Sequence, residues 1–66
     1  MSKQTTGTVL KAARLKLGVT QIELAEKAGI HINTYARIER DEQEPTFDTV
    51  KKLVKALNIK LEDIPS

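Results

Sequence analysis

The chain has no cysteine, so it can hold no disulfide frame, thiolate zinc site or thiol nucleophile. Its single histidine, His31, is too little for a multi-histidine metal centre. Its apolar runs end after two or three residues, so nothing spans a bilayer, and no signal peptide is visible. Three glycines and two prolines in 66 residues are too few for a disordered or linker-like chain. Excess charge is also scarce: eleven Lys and Arg against nine Asp and Glu leave +2, which by itself identifies no partner. These absences point to a soluble domain for a reducing, cytoplasmic compartment, with no cofactor or metal.

What is present suits one small domain over 1–66, with 1–5 as a flexible N-terminal arm. The apolar share of 39% suffices for one compact core. A chain this short buries only about 60% of its unfolded surface, so dimerisation can add stability. Charge is unevenly spread: residues 1–40 carry seven basic and three acidic side chains (+4), residues 41–66 four and six (−2). Lys3, Lys11, Arg14 and Lys16 meet no acid within the first 20 residues. One pole should attract anions and the other should not.

The apolar spacing is helical throughout, which predicts an all-α bundle of five short helices. Leu10, Ala13 and Leu17 form the inward stripe of the first, about 7–17, stopped by Gly18. Thr20 and Glu23 make a capping box for the second, about 21–28, which buries Leu24, Ala25 and Ala28 and ends at Gly29. The third, about 32–40, sets Tyr35 and Ile38 on one side and Asn33, Ala36, Arg37 and Arg40 on the other, with Ile32 at the margin. The run 41–45 reads as an acidic surface loop. Thr46 caps the fourth helix, about 47–57, with Phe47, Val50, Leu53, Val54 and Leu57 inward and Lys51, Lys52 and Lys55 in water. Ile59, Leu61 and Ile64 suggest a last short helix, 61–64, stopped by Pro65. The join between the second and third helices combines small residues with a glycine turn of about three residues, so two helix backbones can approach closely. By spacing alone this fits any tight helical hairpin.

The pattern over residues 10–64 is more specific. It reads Leu10-x-x-Ala13-Arg14, Gly18-Val19-Thr20-Gln21-x-x-Leu24-Ala25, Ala28-Gly29-Ile30, Tyr35-x-x-Ile38-Glu39, Pro45 and Ala56-Leu57-Asn58-Ile59. It resembles the lambda-repressor-like (XRE, Cro–CI type) helix-turn-helix family of DNA-binding domains. The resemblance implies sequence-specific binding to double-stranded DNA, usually as a homodimer acting as a repressor or regulator. The third helix is then the recognition helix, entering a major groove about 12 Å wide. Asn33 can pair with adenine, Arg37 can reach guanine, Ile32 offers a contact to a thymine methyl, and His31 can donate to a base or phosphate. The resemblance also implies a phosphate contact at Gln21, at a helix N-terminus. Arg40, Lys11 and Lys16 are further phosphate candidates. Arg14 and Glu39 match a partly buried ion pair that fixes the recognition helix.

Two features depart from the family. The loop after Glu39 commonly holds a glycine and basic residues, whereas here Arg40-Asp41-Glu42-Gln43-Glu44 holds three acids and no glycine. Acid beside phosphate costs affinity, so the loop turns away from DNA or binding is weak. Leu15 and Ile22 also fall off the inward stripes. Ile59, Leu61 and Ile64 either form a dimer surface or close the monomer core. The alternative function is a protein-interaction module, or an antitoxin-like partner-binding protein, that keeps the fold. No small-molecule ligand and no catalysis are expected, since Glu23, Glu26, Glu62 and Asp63 accompany no nucleophile–base pair.

Overall fold

The computed structural model describes residues 4–65 as four α-helices and one 3-10 turn: α1 (Thr6–Leu17), α2 (Gln21–Ala28), α3 (Ile32–Glu39), α4 (Phe47–Leu57) and the turn Leu61–Asp63. Of the arm expected over 1–5, residues 1–3 lie outside the described residues.

The first helices start and stop on local chemistry. At α2, the Thr20 hydroxyl accepts from the Glu23 N–H at 3.1 Å and the Glu23 carboxylate accepts from the Thr20 N–H at 2.8 Å, so two orphan donors are satisfied reciprocally. Gly18 and Gly29 end α1 and α2 with φ of +80° and +74°, a backbone region that side chains disfavour. Because both glycines close their helices within one residue, α1, α2 and α3 fold back on one another with little intervening chain.

The core is Leu10, Leu24, Ala25, Ala28, Tyr35, Ile38, Leu53, Ala56 and Leu57, with Ala13, Val19, Ile30, Ile32, Ile59 and Ile64 packed around it. α3 lies on α1 and α2, and α4 lies mainly on α2. Alanines at 25, 28 and 56 let these helices come close.

Four expectations are corrected. The helix expected over 61–64 is a single 3-10 turn, so the α-helices number four. An α-helix there needs an N–H at position 65 to bond the Leu61 carbonyl, and Pro65 has none; the Ile64 N–H bonds it instead, at 3.1 Å. α3 ends at Glu39 and not at 40, because Arg40 already has non-helical backbone angles. Leu17, placed on the inward stripe, is 41% exposed. The buried line of α1 runs through Gly7, Leu10 and Arg14. The helix is turned to bring a guanidinium inward, which an apolar count alone misses. Phe47, also placed inward, is 66% exposed. It is the first residue of α4, and its ring lies under the Lys51 ammonium, 5.4 Å from the centroid.

Candidate nucleic-acid interface

α3 has two sides with opposite duties. Tyr35 and Ile38 are almost wholly buried, while Asn33 and Arg37, four residues apart and therefore on one face, are exposed. Ile32 is half-buried against the core at the margin of that face. His31 is the N-cap: its Nδ1 accepts from the Asn33 N–H at 3.1 Å. An accepting Nδ1 places the ring proton on Nε2, which leaves an exposed donor at the same end of the helix as Asn33.

The C-terminal end of α3 is held by a buried polar node. Arg14 donates from Nε to Glu39 Oε2 at 2.9 Å and from Nη2 to Oε1 at 3.0 Å, and its Nη1 reaches the Val19 carbonyl at 2.9 Å. Gln21 Nε2 donates to Glu39 Oε1 at 3.0 Å. One carboxylate thus ties α3 to α1 and to the first residue of α2. Burial pushes the Glu39 carboxyl up, but the polar groups facing it, Arg14 first and then the Tyr35 hydroxyl and the Gln21 carboxamide, outweigh it and hold the group below the usual carboxylate range. The Arg14 guanidinium is raised chiefly by its bond to Glu39. The Tyr35 hydroxyl is buried without a partner at hydrogen-bonding geometry. Burial, and then the neighbouring Glu39 carboxylate, push its phenol above the ordinary range, so it stays neutral.

The acidic loop is not left loose beside α3. Asp41 has φ +62° and takes the glycine position of a Schellman stop: its N–H bonds the Ile38 carbonyl at 3.1 Å, and the Glu42 N–H bonds Arg37 at 2.8 Å. A left-handed conformation costs a non-glycine residue about 1–2 kcal/mol. The Asp41 side chain offsets this by capping α1, accepting from the Gly7 N–H at 3.0 Å and the Thr5 hydroxyl at 2.6 Å. Gly7 permits that approach, since a Cβ there would stand 2.5 Å from the Glu39 carbonyl oxygen and 2.7 Å from that of Ile38. Sequence reasoning missed both residues. A glycine in the first turn of a helix was the signal for one. A missing glycine after α3 was the signal for the other.

Of the remaining site candidates, Arg40 forms a two-pronged ion pair with Glu42, while Lys11 and Lys16 are exposed on α1 and in no ion pair among the described residues. Ile59 and Ile64 are half-buried against the core; Leu61 alone of that trio is exposed, at 43%.

Residues 10–64, which hold this anchored eight-residue helix and its short glycine-linked partner, match the helix-turn-helix family. The chain belongs to that family. Among curated helix-turn-helix proteins, it is 45% identical over 53 residues to the HTH-type transcriptional regulator ImmR of Bacillus subtilis (strain 168). That match covers 80% of this chain and 42% of ImmR, so the chain spans about two fifths of the relative's length. Among solved helix-turn-helix structures, the DNA-binding domain of the P22 c2 repressor (1–76) superposes with a TM-score of 0.87 at 31% identity, covering 94% of this chain and 82% of that one. The biofilm master regulator SinR in complex with DNA gives 0.82 at 31% identity, covering 86% and 95%. The family resemblance read from the sequence and the all-helical lambda-repressor-like fold both stand. No helix among the described residues is long and apolar enough to cross a membrane.

Proposed function

We propose that this chain binds double-stranded DNA sequence-specifically and regulates transcription, as a repressor working in the cytoplasm by binding and not by catalysis. The observation that carries the reading is the division of α3: Tyr35 and Ile38 fill the core while Asn33 and Arg37 stand free on the opposite face. Asn33 suits adenine and Arg37 suits guanine, with Ile32 beside a thymine methyl and the His31 Nε2–H available to a base or phosphate. Gln21 opens α2, where unpaired N–H groups favour phosphate, and its bond to Glu39 orients the carboxamide. Lys11, Lys16 and Arg40 serve the backbone. Relatives described as a transcriptional regulator and as an immunity repressor, and a similar domain solved with DNA, support the same reading. A homodimer with recognition helices about 34 Å apart would read a palindrome with half-sites one turn apart. Leu61 is the exposed apolar residue of the C-terminal segment that such a contact would use.

Selection of bound sequences from random duplex DNA tests this. A palindromic consensus is expected, with affinity falling steeply as salt rises, by about 0.9 in log K per decade of salt for each neutralised phosphate. Absence of retention even at low salt would overturn the reading in favour of a protein-interaction module.

A further inference from the structure

The pairing of Arg40 with Glu42 goes beyond the reading of α3 as a DNA-facing helix, and rests on it. The Schellman stop fixes the backbone of Glu42 against Arg37, and this brings the carboxylate back over the end of α3. There it accepts from Arg40 Nε at 3.0 Å and from Nη2 at 3.1 Å. This two-pronged geometry is the one a guanidinium uses to hold a phosphate. The hydrogen bonds and charge of Arg40 hold the Glu42 carboxyl below its usual range, as expected of a direct pair. Both partners are more than half exposed, so a stronger anion can exchange with the carboxylate without disturbing the core.

We propose that Glu42 is an internal competitor for the DNA phosphate that Arg40 would otherwise take: in the parent the carboxylate keeps Arg40 from that phosphate, and the pair thereby sets both the affinity and its salt dependence. The loop's third acid, Glu44, is exposed and in no ion pair among the described residues, so charge alone does not give it the same effect.

The test measures binding of the full chain to a duplex recovered by selection, across a salt series. Glu42→Gln should raise affinity about two- to fivefold at low salt, the worth of an exposed ion pair. It should also steepen the fall of log K with log salt by about 0.9, one more phosphate. Arg40→Ala should then cost more in the Glu42→Gln background than in the parent. Glu44→Gln makes the same charge change without touching Arg40 and should leave the slope alone. The proposal is overturned if Glu42→Gln leaves the slope unchanged, if Glu44→Gln matches it, or if Arg40→Ala costs the same in both backgrounds. Those failures leave parental binding intact. A parent that retains no duplex at low salt would overturn this proposal and the DNA reading together.

Discussion

Arg14→Ala removes one half of the buried node and tests what holds α3. Side-chain exposure is 10% for Arg14 and 3% for Glu39, so the pair lies largely shielded from water. The carboxylate left behind loses both guanidinium bonds and keeps only the one from Gln21, while the Val19 carbonyl loses its Arg14 donor. Breaking a buried pair on one side costs about 3–5 kcal/mol. At about 0.05–0.15 kcal/mol per residue, a chain of 66 residues has a total stability of about 3–10 kcal/mol. Arg14→Ala should therefore bring the domain close to unfolding. Urea denaturation followed by far-UV circular dichroism measures this. The double variant Arg14→Met with Glu39→Leu removes both charges together and should be less destabilised than Arg14→Ala alone, because no uncompensated carboxylate remains buried. A parental unfolding midpoint for Arg14→Ala, accompanied by altered base preference, would refute the account and make Arg14 a DNA reader.

The other predictions concern neighbouring parts of the same frame. Asn33→Ala and Arg37→Ala should each cost about 1–3 kcal/mol of binding at particular base positions, whereas Gln21→Ala should weaken all sequences alike; competition with single-base variants of the selected site separates the two. Gly7→Ala should destabilise by about 1–3 kcal/mol in thermal melts despite the better helix former, because the methyl meets two backbone carbonyls that end α3. Asp41→Ala should be less stable than Asp41→Gly, since alanine keeps the left-handed strain and loses the cap, while glycine loses only the cap. Glu39 is ionised below the usual carboxylate range, so its contribution is complete above the unfolded value of about 4.3 and is lost as pH falls through the lower folded one. Denaturation across that acid window should show a shallower pH dependence for Glu39→Gln than for the parent.

How much of this could be read from the sequence depends on how local the cause is. The ends of α2 lie in Thr20, Glu23 and Gly29, whose chemistry acts within four residues, and its expected and observed bounds agree. Tyr35 and Ile38 were legible as anchors because their spacing repeats a helical turn. Leu17 was not, because Arg14 turns inward only to meet Glu39, which lies 25 residues away. The same holds for Asp41: a carboxylate in an acidic run looks solvated until the N-terminus of α1 supplies two donors. Phe47 carries the residue type of a core position but stands on the first turn of α4, ahead of its buried line. The outward face at Asn33 and Arg37 was legible from the helical wheel, whereas the engagement of Arg40 by Glu42 needed the backbone stop that folds the loop back.

The eight residues of α3 keep scaffold and message on separate positions. Tyr35, Ile38 and Glu39 belong to the interior, and the outward tips at 33 and 37 touch nothing that the fold needs. If α3 reads DNA as proposed, descendants of such a chain can acquire new targets through changes at those tips alone, each change neutral for folding. Drift at 35, 38 or 39 is purged whatever the target.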